Sequence, residues 1–116
     1  MKKLLIILSI LILIFGITVI IVNHNNFNAE PPIKYISFEL PDGMMAITIP
    51  PFGILISNEY RDEGDDPGTI LAHEKIHWLQ YQELGLFGFY YSYIPDLIRY
   101  GRKNHPMEED ARIRSK

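Results

Sequence analysis

Nineteen consecutive residues, Leu4–Val22, carry no charge and are interrupted only by Ser9, Gly16 and Thr18. A helix of that length spans about 28 Å, close to the hydrocarbon thickness of a bilayer. One element of the fold is therefore constrained before any other: a helix that can cross a membrane. Secretory signal peptides have apolar cores of roughly 7–15 residues and a small-residue cleavage site. Here the run is longer and ends Val19-Ile20-Ile21-Val22-Asn23, without an A-x-A pattern, so it reads as an uncleaved signal anchor. Lys2 and Lys3 precede the run, whereas Lys34 is the only lysine or arginine among the fifteen residues after it. That bias predicts a single-pass protein with residues 1–3 in the cytoplasm and the remainder extracytoplasmic.

Residues 23–32 are expected to form a polar spacer closed by Pro31-Pro32, and residues 33–116 a single folded domain. The absence of cysteine means that no disulfide holds this domain together. Setting Lys2 and Lys3 aside from the 11 basic residues leaves 9 against 14 acidic ones, a net charge of −5, which argues against nucleic acid as a partner. Arg99, Arg102, Lys103, Arg112, Arg114 and Lys116 nevertheless gather towards the C-terminus. They form either a solvated surface or a face for anionic lipid. Three short strands are predicted, about Lys34–Leu40, Met44–Ile49 and Gly53–Ser57, separated by Pro41-Asp42-Gly43 and Pro50-Pro51. An antiparallel meander is the expected arrangement, with Gly53–Ser57 either lining a cleft as an edge strand or completing the core.

Residues 73–77 read His-Glu-Lys-Ile-His. On a helix, positions i and i+4 share a face with Cβ atoms about 5–6 Å apart, so His73 and His77 can both reach one Zn2+ ion. Glu74 is rotated away from that face, poorly placed as a ligand but well placed to accept a proton from an activated water. The flanking sequence agrees with a helix. Asp66 can cap it, Pro67 can occupy its first position, and Ile70, Leu71, His77, Trp78, Tyr81 and Leu84 continue a helical pattern until Gly85. The plainer alternative is a solvated helix face on which the three side chains bond only to neighbours and water.

A catalytic zinc site usually takes a third protein ligand. Glu83 lies ten residues after His73, but it stands at i+6 from His77 and so on another face of the same helix. Further on, His105-Pro106-Met107-Glu108-Glu109-Asp110-Ala111-Arg112 predicts a second helix opened by Pro106, with an acidic first turn suited to the helix dipole. Taken together, LAHEKIHWLQYQELGLFGFYYSYIPDLIRY and PMEEDAR resemble small bacterial proteins of the gluzincin class, the thermolysin-like zinc peptidases, over about residues 33–112. That resemblance implies a minimal zincin-like α+β domain: a small antiparallel sheet, an HExxH helix and C-terminal helices. It also implies His73, His77 and Glu108 as metal ligands and Glu74 as the base, with Glu109 and Asp110 as fallbacks for the third ligand. No residue for stabilising an oxyanion emerges from the pattern. Glu59 and Asp62, in the acidic loop before the helix, read mainly as a solvated turn.

Leu86–Tyr100 is unusually aromatic. It is too short to span a bilayer in the usual way, yet tyrosines are favoured at membrane interfaces and large side chains are needed to build a small core. Phe87, Phe89 and Ile94 are expected in the core, with a membrane-facing role open for some tyrosines. The expected function is zinc-dependent hydrolysis of a peptide bond in a peptide or protein substrate. Its rival is a membrane-tethered interaction or regulatory module built on a zinc-binding scaffold without catalysis. An intramembrane protease is excluded, because Lys75, Gln80, Gln82 and Glu83 make the HEKIH helix incompatible with lipid.

Overall fold

Helix α1, Lys2–Asn26, contains the whole apolar run, and none of its residues is buried by the rest of the protein. It is the one helix in the chain long and apolar enough to cross a membrane. The computed structural model describes all 116 residues. After α1 come strands β1 (Ile33–Ile36), β2 (Ala46–Ile49) and β3 (Gly53–Ser57), then helices α2 (Ile70–Tyr100) and α3 (Pro106–Arg114). The domain is thus α+β. The stretch expected as a spacer is helical as far as Asn26, and it touches the domain. Tyr81 donates its hydroxyl to Asn23 Oδ1, Asn26 Nδ2 donates to Pro51 O at 2.9 Å, and Trp78 Nε1 donates to Ala29 O at 3.0 Å.

The three strands lie close to their expected positions, but their arrangement differs from a meander. The sheet order is β1-β3-β2, with β2 antiparallel to β3 and β1 parallel to it. Sixteen residues separate Ile36 from Gly53, enough for the crossover that a parallel pair requires. In consequence β3 is the central strand, with Gly53, Ile54 and Ile56 buried, and it is not the edge strand of a cleft. The free edge nearer the helices belongs to β2. Ile54 and Ile56 pack with Leu71 of α2 to form one core cluster.

Gly53 is the position where backbone packing is tightest. Its φ is +132°, and a Cβ built there would meet the Pro32 carbonyl oxygen at 2.2 Å, the same oxygen that accepts from Ile54 N at 2.8 Å. Gly53→Ala should therefore destabilise the domain by about 2–4 kcal/mol, through backbone strain and overpacking together. Urea denaturation of the wild-type and variant chains in micelles measures this, and an unchanged midpoint would contradict the packing described.

Helix α2 begins at Ile70, later than the Asp66-Pro67 start suggests. Gly68 turns the chain with φ +89°, so Pro67 lies outside the helix. Thr69 is the cap: its hydroxyl accepts from Ala72 N at 3.2 Å and donates to the Asp66 carbonyl at 2.8 Å. The helix breaks at Gly85 (φ 80°, ψ 170°), the residue expected to stop it. Beyond the break the chain folds back, so that Phe89 joins Trp78 and Tyr81 in a second core cluster to which Phe27 and Met107 add. Phe89 is buried as expected. Phe87 is 88% exposed and Ile94 48% exposed, so neither belongs to the core. The fold-back turns one face of the second half of α2 inwards; Phe87 lies on the other, and Ile94 borders the cavity beside Tyr93.

Candidate metal centre

His73 and His77 sit on the first half of α2, one turn apart, with ring centroids 4.9 Å from each other. Glu108 reaches them from α3. Its Oε1 lies 3.0 Å from His73 Nε2 and 3.1 Å from His77 Nε2. One ligand atom from each of the three residues lies within 4.8 Å of the others, a grouping that can hold a metal ion. Glu74 stands beside this group, its Oε2 4.0 Å from His73 Nε2. All four residues border a cavity of about 1020 Å3.

The presentation of Glu108 depends on how α3 is docked. Pro106 occupies the first turn, and His105 caps it by accepting from Met107 N at 3.0 Å through Nδ1. The opposite nitrogen, Nε2, donates to the Tyr93 carbonyl at 2.7 Å, and the imidazole stacks on the Tyr93 ring at 4.3 Å. The Tyr93 hydroxyl donates to Glu108 Oε2 at 2.6 Å, leaving Oε1 for the two imidazoles. A fully buried histidine thus ties α3 to α2, and a tyrosine on α2 orients the carboxylate.

His77 is oriented from its far side. Its Nδ1 lies 2.8 Å from Gln80 Oε1, and the Gln80 amide nitrogen donates to Met107 O and to Asp110 Oδ2, each at 2.9 Å. Two acceptors fix which end of the amide carries hydrogens, so Gln80 presents oxygen to His77, and His77 Nδ1 carries the proton. His77 Nε2 then directs its lone pair at Glu108 Oε1. Two electron-rich atoms at 3.1 Å repel unless a positive charge lies between them, whether a proton or a metal ion. This donor set therefore suits a divalent cation that accepts nitrogen and oxygen ligands.

Electrostatics follow from the same contacts. Burial raises the Glu108 carboxyl, but hydrogen bonds with His73, His77 and Tyr93 outweigh it and hold the group well below the usual carboxylate range. For His77, burial favours the neutral ring, and the neighbouring Glu108 and Glu74 carboxylates reverse the outcome, raising its pKa. Glu74 shifts upward chiefly because it is buried, against the pull of both imidazoles and of Thr48. Thr48 Oγ1, on β2, is 3.0 Å from both the carboxylate Oε1 and the carbonyl oxygen of Glu74. Burial, aided by the Glu108 charge, keeps the Tyr93 phenol protonated far above its ordinary range.

The other acidic candidates are engaged elsewhere. Glu83 pairs with Arg114 at 3.0 Å and is remote from the histidines, consistent with its place on another face. Glu109 pairs with Arg112 at 2.7 Å, and Asp110 with Arg114 at 3.1 Å. Glu59 and Asp62 are exposed. Sequence spacing does not reveal Tyr93, Gln80, His105 or Thr48. Gln80 alone left a signal, at i+3 from His77, where a side chain can reach back to the imidazole. Comparison with protein-family models, curated proteins and solved structures returns no match.

Proposed function

We propose that this chain is a membrane-anchored, zinc-dependent hydrolase of peptide bonds, with His73, His77 and Glu108 as metal ligands and Glu74 as general base. The observation that carries this reading is the convergence of one Glu108 oxygen on both Nε2 atoms of HEKIH, at 3.0 and 3.1 Å, at the wall of an open cavity. The resemblance of HEKIH and PMEEDAR to gluzincins points the same way. Zinc held there supplies a Lewis acid that polarises the substrate carbonyl and lowers the pKa of a water towards about 7. Glu74 accepts a proton from the attacking water as the new C–O bond forms. It returns the proton to the amine nitrogen as the C–N bond breaks.

The substrate is held by backbone in this account. β2 pairs only with β3, and Met44–Ile49 borders the cavity beside His73 and Glu74. An extended peptide can add to that free edge as a fourth strand, which brings a carbonyl alongside the metal group. The anchor reading rests on the length of α1, its lack of burial and the lysines before its apolar run. With the N-terminus cytoplasmic, the cavity is extracytoplasmic.

Gln80 contributes from outside the ligand set. Gln80→Ala should weaken zinc binding by about 10–100-fold, the usual effect of losing a partner that orients a ligating imidazole, as measured by competition with a chromophoric chelator. Equal affinities would show that Gln80 orients nothing of consequence. Activity itself is tested by incubating the full chain in micelles with an unfolded polypeptide mixture and sequencing new N-termini by mass spectrometry. Zinc-dependent cleavage that is lost in Glu74→Gln supports hydrolysis. Zinc-loaded protein yielding no new termini overturns it and favours a non-catalytic interaction module.

A further inference from the structure

We propose that the Gly85 apex of α2 lies in the interfacial layer of the bilayer that α1 crosses, inserting Leu84, Phe87 and Tyr91 among phospholipid headgroups and upper acyl chains. The inference rests on the anchor reading of α1 and is independent of any catalytic activity. It begins from the fold-back. Phe89 clusters with Tyr81, and the Tyr93 and His77 rings lie 6.0 Å apart, so the two halves of α2 run beside each other and residues 84–88 form the tip.

Contacts with α1 give that tip a direction. Trp78 donates to the carbonyl of Ala29, Gln82 to that of Phe27, and Tyr81 to the side chain of Asn23. Advancing along α2 therefore means descending along the chain towards Val22, the last residue of the apolar run, and the apex lies a further turn beyond. Residues 84–95 carry no charge. Phe87 is 88% and Tyr91 83% exposed, with Leu84 and Ile94 about half exposed. Phe87, Tyr91 and Ile98 recur at i, i+4 and i+11 on one exposed helical face, with Ile94 at its margin beside the cavity.

A bilayer is the occupant these observations favour, because Tyr81 and Gln82, just before the apex, are tied to Asn23 and Phe27 at the end of α1, whose own apolar surface is unburied. Aromatic residues are enriched at the membrane–water interface. Loop Pro50-Pro51-Phe52 lies at the same level: Asn26 and Tyr90 both donate to its carbonyls, and Phe52 is exposed. Gly85 lies eight positions after His77, about 12 Å of helix, so the metal group is held close above the interface.

The chain has no cysteine, so a nitroxide can be placed uniquely on the full-length protein in phosphatidylcholine vesicles. Four single variants suffice: Ile12→Cys in α1, Phe87→Cys, Tyr91→Cys, and Ile113→Cys on the exposed face of α3. Collisions with oxygen, which partitions into lipid, are compared with collisions with a water-soluble nickel chelate. The labels at 12, 87 and 91 are expected to prefer oxygen, and the label at 113 to show the reverse preference. Labels at 87 and 91 that match 113 while 12 prefers oxygen would overturn the interfacial placement alone. A label at 12 that prefers nickel overturns the anchor reading and the placement with it. Spin–spin broadening at 87 and 91 that disappears on dilution with unlabelled chain would mean that a second copy covers the face, which also overturns the proposal.

Discussion

Glu108→Ala is expected to abolish stoichiometric zinc binding at micromolar metal, with a loss of affinity beyond the ~10–100-fold that follows removal of an orienting neighbour. The reason is both charge and geometry. Glu108 is the only carboxylate whose oxygen faces both imidazoles, and Oε1 stands 3.0 and 3.1 Å from the two Nε2 atoms. Without it, two neutral nitrogens on one helix must hold the ion against water. Glu109→Ala and Asp110→Ala are expected to lack that consequence: the first side chain turns to Arg112 and the second to Gln80 and Arg114. Isothermal titration with zinc distinguishes the three. Equal affinities for Glu108→Ala and the parent chain would place the third ligand elsewhere.

Glu74→Gln separates binding from chemistry. The amide matches the carboxylate in shape and can keep its contact with Thr48, which approaches Glu74 Oε1 at 3.0 Å. Glu74 is not among the three converging ligands, so zinc affinity should change little. An amide cannot accept the proton of an attacking water, and general acid–base catalysis contributes about 10²–10⁴-fold. Peptide cleavage by Glu74→Gln is accordingly expected to fall by about that factor at unchanged zinc content. A variant that keeps full activity would remove Glu74 from the mechanism, and one that loses zinc would make it a ligand or a structural support.

What could be read from the sequence was local. An uncharged run, a helix with histidines at i and i+4, a stop at Gly85 and a proline-opened second helix each depend on neighbours a few residues away. They appear as α1, the first half of α2, its break and α3. Alternation and turn residues located the three strands but not their order, because a period of two says which residues share a face and nothing about which strand lies alongside. The central place of β3 is set instead by the crossover that carries β1 to its far edge. Aromatic content likewise predicted a core but did not separate Phe89 from Phe87, both of which were expected in it. That depends on the direction in which the chain leaves Gly85, and the result buries Phe89 while exposing Phe87.

The same break explains why the residues that position the metal group were invisible. Tyr93 reaches Glu108 only because the second half of α2 returns alongside the first, and His105 stacks on Tyr93 only once α3 has docked there. The offset of 15 between Tyr93 and Glu108 is no recognisable spacing. Thr48 reaches Glu74 from a strand 26 positions earlier. These residues position the group, whereas those that compose it were legible because two of them share a helix turn.

Metal content is the most direct measure of whether His73, His77 and Glu108 form a binding site. The full-length chain, purified in detergent, is equilibrated with zinc, passed through a desalting column and analysed by inductively coupled plasma mass spectrometry beside His73→Ala. One zinc per chain in the parent and none in the variant is the predicted result. No retained zinc in the parent, or equal amounts in both, would contradict a metal centre at HEKIH and Glu108.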